Sequence, residues 1–234
     1  MTPDEADAPA RADQDPRPAG RPRRGLAEKR AAILRAALTV FGRDGYTRAG
    51  IDTIAKEAGV STRTIYNHFS GKEELFRVVV EESSVRVREA QLDVLRRHRE
   101  RPGGEPAAEL TALARAWLEP MTTFPDHFAL VRQIGAEAAH IPREVLEAWQ
   151  EAGPHATHRA LAGHLAELAG RTALELPDPA RAATHFTLLT ATEVVNRTYY
   201  GAFPLPAAEV DAIIAAGVRT FLHGHLPREA GPPR

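Results

Sequence analysis

The stretch Ile51–Leu75, IDTIAKEAGVSTRTIYNHFSGKEEL, leaves this chain the fewest choices. Ile51, Ile54, Ala55 and Ala58 recur at helical spacing and give one inward apolar stripe. Gly59 stands where a helix commonly ends in a left-handed residue, with Val60 placed to tuck beneath the turn. Ser61 is a good N-cap for a second helix, because its hydroxyl can accept from an unpaired backbone N–H. Ile65 and Phe69 face the core one turn apart and leave Thr62, Arg63, Thr64 and Asn67 pointing outward. Ser70-Gly71-Lys72-Glu73 then supplies a Ser-x-x-Glu capping box for a third helix.

Two short helices joined by a tight Gly-containing turn, with polar residues on the second, describe a helix-turn-helix. Such a unit offers its second helix to the DNA major groove. An ordinary helical hairpin has the same periodicity, and periodicity alone leaves both readings open. Residue identity goes further. Ile54-Ala55, Ala58-Gly59-Val60-Ser61, Thr64-Ile65-Tyr66-x-His68-Phe69 and Lys72-Glu73-Glu74-Leu75, in that order and spacing, closely resemble the DNA-binding domain of the Tet repressor (TetR) family. The resemblance is strong from about Leu26 to Phe76 and only general beyond it. It implies an all-α protein of about nine helices: an N-terminal three-helix helix-turn-helix domain and a C-terminal helical ligand-binding and dimerisation domain. It further implies a homodimer paired through helices 8 and 9, double-stranded operator DNA as partner, and a small-molecule effector.

Charge is distributed as such a protein needs. The whole chain carries −1, yet Arg21–Arg77 holds 12 Lys/Arg against 6 Asp/Glu, leaving 18 against 25 elsewhere. A basic segment on an acidic body suits docking on DNA through one end. Cysteine is absent, which excludes disulfides, thiol redox sensing and Cys-based zinc sites. No apolar run approaches the roughly 18 residues of a membrane span. The first twenty residues carry five acids among Pro and Ala and no apolar run, so they do not read as a secretory signal. The expectation is a cytoplasmic protein without membrane contact.

Taken in order, residues 1–20 read as a disordered acidic, Pro-rich tail. Residues 21–76 read as the helix-turn-helix domain, 77–226 as the ligand-binding and dimerisation domain, and 227–234 as a flexible tail. Arg21-Pro22-Arg23-Arg24 reads as an arm whose Arg23 and Arg24 contact phosphates or enter the minor groove, or else as a solvated charge cluster. Helix 1 is expected from about Leu26 to Arg43, buried through Ile33, Leu34, Ala37, Leu38 and Phe41, and stopped by Asp44-Gly45. The chain departs from the family pattern before helix 2, where Gly50 replaces the usual Ser or Thr; Thr47 or Thr53 can stand in for the missing hydroxyl.

The expected DNA contacts divide by chemistry. Arg63 can pair with the O6 and N7 of guanine, and Asn67 with adenine. Ser61, Thr62 and Thr64 are short enough for a thymine methyl or a phosphate. Tyr66 and His68 match family positions that face the DNA backbone, where they position rather than read; for Tyr66, packing on helix 1 is the competing role. Lys72 sits in the first turn of the next helix, an unfavourable place for a cation unless a phosphate lies between. That helix is expected to run to about Arg101 and end at Pro102-Gly103-Gly104.

From Pro106 onward the chain reads as helices over about 106–120, 125–140, 142–169, 178–201 and 206–225. The breaks fall at Pro120, Phe124-Pro125, Ile141-Pro142, Leu176-Pro177 and Phe203-Pro204. The stretch GAEAAHIPREVLEAWQEAGP resembles the C-terminal domains of AefR-like regulators. His185, Thr192, Asn196 and Tyr199 fall on roughly one face of helix 8, as polar groups that orient a ligand would. Trp117, Phe124, Phe128, Arg132 and Trp149 can supply an apolar wall and one charge. The competing reading has these groups satisfied in the core or at the dimer surface. Glu151, His155 and His158 share a face, but no His-Glu-x-x-His pattern accompanies them; neither a metal nor another cofactor is expected. Helix 9 carries Val210, Ile213, Ile214, Val218, Phe221 and Leu222, an apolar surplus suited to a symmetry mate. A ligand-responsive repressor is the leading reading, and an architectural DNA-binding protein with no effector is the alternative. No nucleophile motif or phosphate loop points to an enzyme.

Overall fold

The structure, a computed structural model, describes residues 21–100 and 104–226; the side chains of residues 21–24 lie outside that description. So do both expected tails and the break at Pro102-Gly103. Among the described residues there are nine helices and no strand.

Helix α1 (Arg21–Arg48) is interrupted at Gly45, whose φ of 82° and ψ of 173° leave the helical region. The stop expected at Asp44-Gly45 is therefore a kink with a short helical coda. The helix also starts earlier than expected. The backbone of Arg21–Arg24 is helical, and Pro22 is tolerated because first-turn N–H groups have no intrahelical partner. Next come α2 (Ile51–Ala58), α3 (Thr62–Tyr66) and the long α4 (Lys72–Arg99).

The capping box at the start of α4 is displaced by one residue. Gly71 is the N-cap and makes no side-chain bond, while Ser70 donates to Glu74, not Glu73, from its N–H (2.5 Å) and its hydroxyl (2.6 Å). The extended Gly71 carries the chain one step further before the first turn closes. Helix α5 (Pro106–Thr123) runs through Pro120, where a break was expected. A proline crowds the turn before it, and the turn after it can still form. Here Thr122 and Thr123 donate to the Glu119 carbonyl, and Phe124 N–H closes on Pro120.

Helix α6 (Pro125–Glu137) ends in a 3₁₀ turn, Ala138–His140. Helix α7 spans 143–169, with a π turn, Glu151–His155, between its two α-helical parts. Helix α8 spans 179–197 and has a π turn of its own at Leu188–Thr192. It closes on three successive left-handed residues, Tyr199, Tyr200 and Gly201. Helix α9 is Ala207–His225.

Two apolar cores share α4. The first joins Ile33 and Phe41 of α1, Ile54 of α2, Ile65 of α3 and Phe76 of α4 to Leu130 and Ile134 of α6 and Val145 of α7. Phe41 and Phe76 meet edge to face at 4.8 Å. The second joins Val94 and Leu95 of α4 to Leu113, Leu161, Leu165, Phe186, Ile214 and Phe221. Each such side chain contributes about 1.5–3 kcal/mol on leaving water. The helix-turn-helix therefore packs on the body through a continuous interior, in which α1 lies along α6. The apolar face of α9 is not surplus: Ile214, Val218, Phe221 and Leu222 are buried, and Val210 and Ile213 half-buried. The large apolar side chains left more than half exposed in this region are Leu188, Tyr199 and Phe203.

Helix α9 approaches α8 closely at Gly217. A Cβ there would stand 2.1 Å from the Leu189 carbonyl oxygen, inside the π turn. Gly163, exposed on α7, has nothing within 4 Å of the same position. Gly→Ala inside a helix ordinarily stabilises by up to about 1 kcal/mol. Gly163→Ala should raise the thermal midpoint accordingly. Gly217→Ala should lower it, with a loss of about 1–3 kcal/mol in stability, the usual cost of overpacking. Two midpoints shifting in the same direction would contradict the packing described here.

Candidate functional site

The α2–α3 turn forms as the sequence spelled it. Gly59 is left-handed (φ 66°), its N–H donates to Lys56, and Val60 N–H reaches back to Ala55. This paired closure satisfies two carbonyls at the end of α2. Ser61 caps α3 by accepting from Thr64 N–H at 3.2 Å, and the two hydroxyls lie 2.9 Å apart. Ile65 and Phe69 are buried, which rolls the opposite side of α3 into solvent. Arg63, Tyr66 and Asn67 are exposed, and Thr62 and Thr64 half-buried. Tyr66 is 57% exposed. His68 turns the other way: its Nε2 is buried and meets no hydrogen-bond partner. Thr53 is exposed on the first turn of α2, above a Gly50 N-cap that has no side-chain bond.

Thr47 is not free to replace the missing hydroxyl, because it forms the joint between reading head and body. Its N–H (2.8 Å) and its hydroxyl (3.1 Å) both donate to Glu137 Oε2 at the end of α6. Its carbonyl accepts from Lys72 Nζ at 3.0 Å. The Lys72 ammonium lies 4.9 Å from the Tyr46 ring centroid, within cation–π range. Burial holds Lys72 below its ordinary pKa, with Glu137 opposing that shift. Lys72 thus has a protein partner at the place where a phosphate was expected. The side chains of Arg23 and Arg24 lie outside the described residues.

Between the two cores lies a cavity of about 430 Å³, within the range of small-molecule sites. Trp117, Phe128, Trp149 and Tyr200 form its aromatic wall; Ser84, Arg88, His127, Thr157 and His158 are among its polar groups. Gly153 presses on Ser84, where a Cβ would come within 3.0 Å of the Ser84 Cβ, so small residues let α7 approach α4. His127 is buried against Ser83 Oγ (3.1 Å), and burial, aided by Arg86, pushes its pKa down to about 4.

Of the expected ligand residues, the structure brings Trp117, Phe128 and Trp149 together. Phe124 and Arg132 do not line the cavity: Phe124 caps α6, and Arg132 donates to the Tyr200 carbonyl at 2.8 Å, holding the end of α8. The polar stripe of α8 does not line it either. His185, Asn196 and Tyr199 are exposed, and Thr192 donates to Thr187 within the π turn. The π turn inserts a residue between His185 and the later positions, which breaks the regular helical phase used to align them. Glu151 pairs with His155 and Arg159, while His158 meets Thr184. Ser84, Arg88, His127 and Tyr200 were not singled out from sequence. The usable signal was Gly153-Pro154 inside a helical window, which marks where α7 departs from regularity.

Comparison with known proteins places these features in context. Residues 33–79 match the model of bacterial regulatory proteins of the tetR family. Residues 108–224 match the C-terminal domain of AefR-like transcriptional repressors. The chain is 48% identical over 69 residues to the transcriptional activator FasR of Mycolicibacterium smegmatis, and 43% over 53 residues to the regulator SrpR of Pseudomonas putida. Those matches cover 28% and 23% of this chain and only 32% and 25% of the two relatives. Among solved structures, a TetR-family regulator from Mesorhizobium loti superposes with a TM-score of 0.76 at 28% identity, over 86% of this chain and 98% of that one. The flavonoid-responsive regulator FrrA gives 0.61 at 31%, over 87% and 100%. No helix among the described residues is long and apolar enough to cross a membrane.

The neutral, buried His127 couples stability to pH. Its pKa lies near 4 in the folded protein and near 6.5 when unfolded, so the unfolded chain binds more protons between those values. Stability is therefore lost as pH falls through that window, by on the order of 3 kcal/mol between pH 7 and 4. His164, also held low by burial, acts in the same direction. His127→Gln should flatten the slope in urea titrations run across that range. An unchanged slope would mean that His127 is not buried in its neutral form.

Proposed function

From its membership of the TetR family of transcriptional regulators, to which this chain belongs through its helix-turn-helix and its AefR-like C-terminal domain, we propose a ligand-responsive repressor. It binds a near-palindromic operator as a homodimer, in the cytoplasm, and a small molecule in the C-terminal domain releases it. The observation that carries this reading is α3 itself. The side chains of Arg63, Tyr66 and Asn67 stand exposed, with no hydrogen bond or ion pair to any described residue, while the Asn67 backbone N–H closes the end of α3 on Arg63. Side chains capable of base recognition are thus left unspoken for on a rigid support.

A helix of five residues reads too few base pairs to be specific alone, and a two-fold dimer doubles its reach. The outward face of α8, with Leu188, Asn196 and Tyr199, supports pairing there, alongside the outer face of α9. The cavity supports an effector and weighs against an architectural protein with a closed core. FrrA, by its name, responds to flavonoids.

The test is fluorescence anisotropy on duplex DNA from the protein's own upstream intergenic region, with a scrambled duplex as control. A preference of about 10³ or more is expected; equal, steeply salt-dependent binding to both duplexes would favour the architectural alternative. Arg63→Ala should relax specificity at one base pair per half-site by about 1–3 kcal/mol. Lys72→Ala should weaken all sequences alike, because the joint that orients the reading head is loosened. It should also lower the melting temperature, because Thr47 loses its donor. Identical effects of the two substitutions on specificity would refute the division between reading and positioning.

A further inference from the structure

The cavity has one cation on its wall and no carboxylate. Arg88 is half-buried there and donates to the Ala152 carbonyl at 2.9 Å, with no acidic side chain paired to it among the described residues. The nearby acids are engaged elsewhere or turned to solvent: Glu151 holds His155 and Arg159, and Glu89 and Asp126 are exposed. One turn before Arg88 on the same face of α4 is Ser84. Its hydroxyl is buried, lines the cavity and has no hydrogen-bond partner. A buried, unsatisfied hydroxyl and an unpaired guanidinium one turn apart are two donors waiting for one acceptor group. The remaining wall is aromatic.

We propose that this cavity binds a compact aromatic carboxylate, its rings against Trp117, Phe128, Trp149 and Tyr200 and its two oxygens accepting from Arg88 and Ser84. The carboxylate accepts from the same guanidinium that holds the Ala152 carbonyl, so binding bears on the π turn of α7. A neutral ring compound fills the same wall but leaves Arg88 on Ala152. An aromatic cation meets no counter-charge and is excluded by Arg88. The inference deepens the ligand-responsive reading above and rests on it for the consequence at DNA.

Isothermal titration calorimetry of the full chain with 2-naphthoate and with 2-naphthamide tests it. Naphthoate should bind about tenfold tighter or more, the ratio expected of a charge-assisted bond. Arg88→Met should bring the two ligands within about twofold. Arg88→Gln, which keeps a donor for Ala152, provides the same comparison if Arg88→Met does not fold. Ser84→Ala should weaken naphthoate several-fold without lowering the melting temperature. Equal affinities in the wild type, a preference that survives loss of Arg88, or failure of both probes to bind would each overturn the proposal. Specific DNA binding that persists without naphthoate preference removes this inference alone. Naphthoate preference without specific DNA binding removes the regulator reading alone.

Discussion

Beside the apolar packing of α1 on α6, one carboxylate ties the reading head to the body. Glu137 sits at the end of α6 and takes both the N–H and the hydroxyl of Thr47, while Lys72 takes the Thr47 carbonyl from the opposite side. Every polar group of Thr47 is thereby held, by the body through one partner and by α4 through the other. The arrangement needs Gly45 beneath it: its positive φ opens the turn, and a Cβ there would strike the Glu137 carboxylate at 2.4 Å. Because Thr47 leads directly into α2, and α2 into α3, the attitude of the recognition helix is set from α6. A displacement of α6 is a displacement of the head.

Helix α4 closes the other side of the same frame. Its first turn carries Lys72, its middle lines the cavity through Ser84 and Arg88, and its last turns belong to the second core. Helix α6 likewise meets the joint at Glu137 and the cavity at His127 and Phe128. Two elements thus run from the cavity to the two ends of the Thr47 joint. In the proposed regulator, an effector needs only to prefer one relative setting of α4 and α6 over another, and its differential affinity is all that can shift the balance.

Sequence made the head legible residue by residue because its signals are local. Gly59, Ser61 and the Ile65/Phe69 pair each act within one or two turns, and the fold keeps them there. The body's helices were legible through their prolines, and only Pro120 misled, since a proline acts on the turn before it. The cavity was legible in its aromatics and not in its polar groups, for a definite reason. Assigning a face from spacing assumes a constant helical period, and α7 and α8 each contain a π turn that resets it. His185 and Asn196 were placed inward by a phase that the chain does not keep. Arg88 and Ser84 lie on the regular α4, but nothing local distinguishes them from the charged and small residues around them; only the approach of Gly153 does.

The two π turns also explain how a densely packed helical body can hold a cavity at all. A regular α7 would continue its apolar face across Gly153 and Pro154 and fill the space in front of Ser84. Widening the helix there keeps a glycine against Ser84 and leaves the Ala152 carbonyl to Arg88. On α8 the corresponding turn brings the Leu189 carbonyl onto Gly217, fixing α9 by a backbone-to-backbone approach that no side chain could replace. One irregularity therefore makes room and the other removes freedom. Together they frame the cavity at Arg88, between the two apolar cores.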